Sequence, residues 1–361
     1  MVPMNKKSQQ FLEKYLNNSS PTGFESSGQE IWLDYIKPYI DEYISDPYGT
    51  VVGVVNPKAE YKVVIEAHAD EIAWFVSHIN EKGYISVIRN GGSDPHIAPS
   101  KRVNIYTDKG VVKGIFGWPA IHVRDNQKNE APTLKNLYID VGCESKEEVE
   151  ALGIHPGCVA TFEDELTTLN DKFYVGRALD NRIGGFMIAE VLRKISESGK
   201  ELPFGLYVVN AVQEEVGLRG AQMIARRIKP DVAIITDVTH DTQSPLYSNV
   251  KTSEGDIACG KGPVLTTGPS VQNNLLRMIV DVAKEKEIPF QRSAASRFTG
   301  TDTDAFAYSD IGVPSALISL ALKYMHTTVE TVQMEDVDNV INLMYEFVVQ
   351  LNAGHDFRYI K

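Results

Sequence analysis

The sequence predicts an α/β fold, with a mostly parallel central sheet sandwiched by helices and a small all-β domain inserted into it. Apolar, β-branched runs such as YKVVIEA and DVAIITDV alternate with stretches of helical periodicity, the pattern of a parallel sheet covered on both faces. Between Ile72 and Thr168 the texture changes to short strands at close spacing, broken by glycine, proline and aspartate. The 361 residues exceed what one hydrophobic core usually organises, in keeping with two domains. The expected division is 1–71 and 169–361 for the α/β part, with 72–168 inserted between them.

Taken in order, NKKSQQFLEKYLNN sets Phe11, Leu12, Tyr15 and Leu16 at helical spacing, and Pro21 and Gly23 of SPTGFE break the helix. IWLDYIKPYI predicts a second helix. YISD, TVVGVVN and YKVVIEAHAD read as strands separated by turn residues, the last ending at His68. IAWFVSHI, YISVIRN, RVNIYT and VVKGIFG are the strands expected in the insertion. Beyond it, NRIGGFMIAEVLRKI reads as helix, LPFGLYVVNAV as strand, EVGLRGAQMIARRI as helix and DVAIITDV as strand. SALISLALKYM is a further strand-like run. Val337, Val340, Ile341, Met344, Val348 and Leu351 fall on one helical stripe suited to packing.

Composition narrows the partners. Asp and Glu total 48 against 36 for Lys and Arg, a formal charge of -12 that repels polyanions, so nucleic acid is not expected to bind. Three cysteines, Cys143, Cys158 and Cys259, cannot all pair within the chain and show no C-x-x-C spacing, which fits a reducing compartment. The start MVPMNKKSQQFLEKYL lacks the apolar core of a signal peptide, and no run approaches membrane-spanning length. The expectation is a soluble, cytoplasmic protein with no membrane partner.

In open α/β sheets ligands collect beyond the carboxyl ends of the strands, so polar residues that follow apolar strands are the first candidates. EAHAD, GRALDNR, NAVQEEVG and IITDVTHD stand out. His68 has Asp70 two residues on, placed to hydrogen-bond the other imidazole nitrogen. Glu214 and Glu215 would face opposite ways if extended, freeing one to ligate a metal and the other to handle a proton. Asp180 precedes a helix, Asp237 follows the apolar run VAII, and His326 follows SALISLALKYM. Taken singly, each has an ordinary structural reading: a satisfied histidine at a strand end, acids in a first helical turn, an N-cap. Together they form an N/O donor set suited to zinc, cobalt or manganese. A carboxylate bridging two such ions roughly 3.5 to 4 Å apart lowers the pKa of a shared water and polarises a carbonyl, while a spare carboxylate acts as base.

In this order the segments SPTGFE, GRALDNR, VQEEVGLRGA, DVAIITDVTH, GTDTDAF and YMHTTVE resemble the tetrahedral (TET) aminopeptidase family of co-catalytic metallopeptidases, which includes glutamyl aminopeptidases and proteins once labelled cellulase M. The resemblance implies two divalent ions per subunit, zinc first and cobalt or manganese as alternatives. It implies that His68, Asp180 and Asp237 bind one ion and that Asp180, Glu215 and His326 bind the other, with Asp180 as the bridge. Glu214 is then the general base, Asp70 orients His68, and the Asp180–Asn181 peptide is cis. A zinc-peptidase-like catalytic domain, a barrel-like insertion that serves oligomerisation or substrate access, and a dimer-based homo-oligomer of up to a dodecamer are likewise implied. Where the family has His-Met-Asp this chain has His68-Ala69-Asp70, and where it has Ser-Pro-Val-Glu this chain has Thr327-Thr328-Val329-Glu330. Neither departure removes a ligand. GIFGWPAIHVRDNQKNEA is less typical of the family; His122 and Arg124 within it are read as exposed loop residues, with contact to substrate or a neighbouring subunit as the alternative.

The leading functional expectation is a metal-dependent aminopeptidase that removes N-terminal residues from short peptides. Two other readings stand beside it. Glycan hydrolysis needs a carboxyl pair flanking a sugar, which the adjacent Glu214 and Glu215 do not obviously provide. An inactive, metal-stabilised oligomeric scaffold would leave the intact set of base and ligands unused.

Overall fold

A computed structural model describes residues 5–124, 131–247 and 249–360; the first four residues, and 125–130 of the atypical 115–131 stretch, therefore lie outside the described residues. The chain opens with α1 (Lys6–Asn17), whose first turn is capped by the Asn5 side chain accepting from the Ser8 amide. Phe11, Leu12, Tyr15 and Leu16 are its buried face, as their spacing predicts. α2 (Ser26–Ile36) follows, then β1 (Glu42–Ser45), β2 (Val51–Val55) and β3 (Lys62–His68).

The insertion comes next, as β4 (Ala73–Ile79), β5 (Ile85–Asn90), β6 (Arg102–Thr107), β7 (Gly110–Phe116), β8 (Tyr138–Asp140), the short α3 (Lys146–Ala151) and β9 (Val159–Phe162). Its six strands close into a barrel in the order β4-β5-β8-β7-β6-β9. Closure removes free sheet edges and points alternate residues inward. Trp74, Val76, Ile85, Val87, Val103, Ile105, Phe116 and Ile139 fill a core separate from that of the main sheet.

The remainder is β10 (Thr167–Leu169), β11 (Phe173–Gly176), α4 (Leu179–Ser198), β12 (Gly205–Ala211), α5 (Arg219–Ile228), β13 (Val232–His240), α6 (Lys251–Glu254), β14 (Val264–Thr267), α7 (Asn273–Glu285), β15 (Gln291–Ala294), α8 (Asp302–Ala307), β16 (Ser315–Lys323), β17 (Glu330–Gln333) and α9 (Met334–Gln350). The main sheet has eleven strands, with β1-β2-β12-β3-β13-β16-β17-β11-β10 as its principal order. Its centre, β12-β3-β13-β16, is parallel. Most flanking pairs are antiparallel, among them the hairpins β1–β2 and β10–β11, whose short connections leave no room for a crossover helix, whereas β14 and β15 pair in parallel across α7. Every residue of β12 is buried, the sign of a strand covered on both faces. α4 lies along β3 and β13 beneath α1, α2 and α9, while α5 and α8 pack together against β12, β13 and β16. Among the described residues, no helix is long and apolar enough to cross a membrane.

Candidate metal centre and active site

The parallel centre of the sheet delivers the site. His68 is the last residue of β3, in register with Ala211 at the end of β12, and Asp237 lies towards the carboxyl end of β13. Glu214 and Glu215 follow β12, and His326 follows β16. The two glutamates do not continue the strand, as an extended reading would have them. β12 stops at Ala211, Gln213 takes a left-handed conformation (φ 58°), and Glu214–Val216 forms a 3-10 turn. The turn, and not strand alternation, parts the two acids: Glu214 Oε2 is 3.9 Å from His68 Nε2, and Glu215 Oε2 is 3.5 Å from His326 Nε2.

Asp180 stands between the two histidines. Its Oδ1 is 3.2 Å from His68 Nε2 and its Oδ2 is 3.3 Å from His326 Nε2. Asp237 Oδ1 is 3.8 Å from His68 Nε2. His68, Asp180 and Asp237 form one group of candidate ligand atoms within 4.8 Å of one another, and Asp180, Glu215 and His326 form a second. The N-cap reading of Asp180 does not hold: its two carboxyl oxygens face His68 and His326, and no side-chain cap closes the start of α4. The Asp180–Asn181 peptide is cis.

Asp70 does more than the sequence indicates. Its Oδ1 lies 3.4 Å from His68 Nδ1, close to the nitrogen it is expected to orient but without a hydrogen bond to it. The same carboxylate accepts the amides of Glu214 (2.9 Å) and Glu215 (3.2 Å) and the hydroxyl of Thr22 (2.8 Å). One side chain thus stands between the His68 imidazole and the turn that carries Glu214 and Glu215.

Three buried acids near the centre received no role from the sequence. Glu330 accepts the Asp180 amide at 3.0 Å and the His326 amide at 2.7 Å, so it fixes the backbone of two candidate ligands. Its place in YMHTTVE, four residues after His326, was the available signal. Glu66 and Asp302, from β3 and α8, are fully buried against each other, two carboxyl groups that pair by sharing a proton. Gly92, in the loop after β5, is also unforeseen. A Cβ there would fall 2.5 Å from His326 Nδ1, so only glycine lets the barrel loop lie against that imidazole.

The electrostatics are those of carboxylates crowded without enough positive charge. Burial, reinforced by Asp237, Asp302 and Glu215 and opposed by His68, pushes Glu214 up to about 10. Burial likewise raises Asp237 to about 7 and Glu66 to about 8. Asp180 goes the other way: the two histidines overcome its burial and hold it below the usual carboxylate range. Asp180 and Glu215, working against burial, raise His326 to about 11. A bound cation inverts this logic by ionising the acids and keeping the imidazoles neutral. The donor set therefore fits divalent metal ions, with two histidines, two terminal acids, one acid facing both groups and a buried Glu215 Oε1 that has no partner among the described residues.

The centre opens into a cleft of about 890 Å³. Leu218, Gln222 and Arg226 of the α5 region form one wall, and Phe298, Thr299, Gly300, Asp304 and Tyr308 form another. The segment GTDTDAF thus contributes to the cleft, although Asp304 is engaged by the amides of Thr299 and Gly300.

An α/β sheet whose strand ends gather two histidine and carboxylate groups around one shared aspartate fits a metal-dependent hydrolase. Comparison with known proteins narrows the class. The profile of the M42 glutamyl aminopeptidases matches residues 49–343. The lysyl aminopeptidase of Pyrococcus furiosus is 32% identical over 347 residues, covering 95% of this chain and 97% of the relative. The glutamyl aminopeptidase of Lactococcus lactis is 28% identical, covering 89% and 91%. A TET aminopeptidase from a marine sediment archaeon superimposes with a TM-score of 0.90 at 30% identity, covering 96% of this chain and 98% of that one. The Pyrococcus horikoshii TET1 peptidase, described as assembling into a tetrahedron or a large octahedral shell, gives a TM-score of 0.83 at 27% identity, covering 95% and 100%. The chain belongs to the M42 glutamyl aminopeptidase family. It is accordingly a peptide-bond hydrolase of the metal-dependent aminopeptidase class.

Proposed function

We propose that the enzyme removes N-terminal residues from short peptides, with His68, Asp180 and Asp237 holding one divalent ion, Asp180, Glu215 and His326 holding a second, and Glu214 acting as general base. The observation that carries this reading is the division of Asp180, whose two oxygens face different histidines. When bound, the ions supply Lewis acidity to water and to the peptide carbonyl; zinc suits the donors best, and cobalt or manganese also fit. Glu214 contacts the group from its rim and belongs to neither ligand set. It takes a proton from the attacking water and returns it to the leaving amine. Asp70, 3.4 Å from Nδ1 of His68, is placed to favour the tautomer protonated there, which leaves Nε2 to face the ion. The cleft admits an extended peptide end and leaves room for a side chain against Thr299, Tyr308 and Phe298.

The working form is a cytoplasmic, dimer-based homo-oligomer, a reading supported by structural relatives named for a dodecamer and for tetrahedral or octahedral shells. Exposed apolar residues on the barrel, among them Ile88, Val111, Ile115, Ile121 and Val123, supply surface for that contact.

Chelation tests the mechanism. Removing metal, verified by elemental measurement, abolishes hydrolysis of a panel of amino-acid p-nitroanilides and tripeptides, and added zinc, cobalt or manganese restores it. Undiminished activity after verified removal refutes the reading, and release of sugar from a soluble glucan with no peptide hydrolysis favours the glycan alternative.

A further inference from the structure

SPTGFE is a segment whose chemistry the proposed mechanism leaves unused, and it leads directly to the turn carrying Glu214. Glu25 is almost wholly buried, 2% exposed. Its Oε1 accepts the amide of Gly23 at 2.7 Å, within its own segment, and the amide of Gln213 at 3.2 Å, 188 residues away. Gln213 is the left-handed residue immediately before Glu214. Asp70 accepts the next two amides, those of Glu214 and Glu215, and is itself held by Thr22 of the same segment. Three consecutive amides of the turn therefore point into two buried carboxyl groups, and SPTGFE braces both. The Thr22 amide donates to the Glu71 carbonyl and the Glu71 amide to the Ser20 carbonyl, which fastens the segment to the chain just beyond Asp70.

We infer that Glu25 is a positioning residue for the reaction: its reach to the Gln213 amide sets the left-handed entry of the turn and so aims Glu214 at the water and Glu215 at its ion. The physical ground is the conformation that must be held. A glutamine at positive φ is disfavoured and needs its surroundings to fix it, and an amide turned into the protein interior needs an acceptor. Glu25 is the acceptor for that amide, whereas Asp70 reaches only its two successors. Without Glu25 the turn keeps its last two anchors and loses the first, leaving the direction of Glu214 free to vary. The inference rests on the assignment of Glu214 as base.

Two variants separate reach from the carboxyl group itself. Glu25→Asp keeps the carboxyl group but shortens the side chain by one methylene and withdraws the acceptor, while Glu25→Gln keeps the reach and an acceptor oxygen but gives up the carboxyl group. With metal content measured in each, Glu25→Asp lowers kcat by about 10- to 100-fold, the cost of a misaimed group, with KM within about twofold. Glu25→Gln stays within about threefold of wild type. In metal-free protein, hydrogen exchange at the Gln213 amide is about tenfold or more faster in Glu25→Asp and unchanged in Glu25→Gln, a readout independent of turnover. The inference is overturned by native kcat and exchange in Glu25→Asp, by equal impairment of the two variants, which would make reach irrelevant, or by loss in Glu25→Gln alone, which would make the ionisable carboxyl group the operative property. Glu214→Gln run alongside keeps the two ideas apart: if it is inactive while Glu25→Asp is native, positioning fails and the base assignment stands.

Discussion

Replacing Asp70 with alanine removes four contacts in one step: His68 Nδ1, the amides of Glu214 and Glu215, and the Thr22 hydroxyl. Asp70 is fully buried, so no water readily takes its place. Each bond to a carboxylate contributes about 1.5–3 kcal/mol, and contributions sharing one acceptor do not add. Part of the loss falls on folding and part on the metal centre, because the variant frees His68 to rotate and loosens the turn that carries Glu215. Removing a group that orients a metal ligand lowers metal affinity or activity about 10- to 100-fold, equivalent to about 1.4–2.7 kcal/mol. Asp70→Asn should fall between wild type and alanine, since one amide keeps its oxygen while the other meets an NH2 group. Competition against a zinc-sensitive fluorescent chelator measures the affinity, and urea unfolding of metal-free protein measures the folding share. Affinity and kcat/KM within about threefold of wild type in both variants would refute the orienting role.

Three further outcomes follow from the same geometry. Glu71→Gln leaves the buried Arg177 and Arg182 without the carboxylate beside them, and should cost about 3–5 kcal/mol in urea unfolding with an unchanged m-value; a loss under 1 kcal/mol contradicts it. Burial and the neighbouring Asp70 raise Glu25 from 4.5 to about 8, so the folded protein binds this proton more tightly than the unfolded chain does, and stability falls as pH rises between those values. Glu25→Gln removes that slope and should exceed wild type by a few kcal/mol at pH 8 but not at pH 4.5; parallel stability curves would contradict it. Gly92→Ala drives a methyl group into His326 and should lower metal affinity of the Asp180, Glu215 and His326 group, read as one weakened equivalent in a metal titration, where two undisturbed equivalents would contradict it.

What could be read in the sequence was what periodicity and strand ends encode. α1, the apolar strand ending at His68, the short strands of the insertion and the C-terminal stripe all express local patterns. The candidate ligands were visible for the same reason, since polar residues that terminate buried strands must meet something beyond the sheet. What stayed hidden depends on contacts between distant segments. Nothing in the local sequence says that Gln213 turns left-handed, so Glu214 and Glu215 read as alternating strand residues. Glu25 and Gln213 are separated by 188 residues, and Gly92 meets His326 only because the barrel folds back over the sheet. Glu330 was inside a recognised segment, yet its bonds go to backbone amides, which leave no trace in side-chain chemistry.

The central claim is that adjacent glutamates do different work, Glu215 as a ligand and Glu214 as the base. Glu214→Gln isolates it, because the amide keeps the volume of the side chain and removes its ability to take a proton. General-base catalysis is worth about 10²- to 10⁴-fold, so kcat on a tripeptide should fall by at least about a hundredfold while metal content per subunit stays at the wild-type value. Near-native turnover in the fully loaded variant, or loss of a metal ion together with activity, would contradict the division of roles.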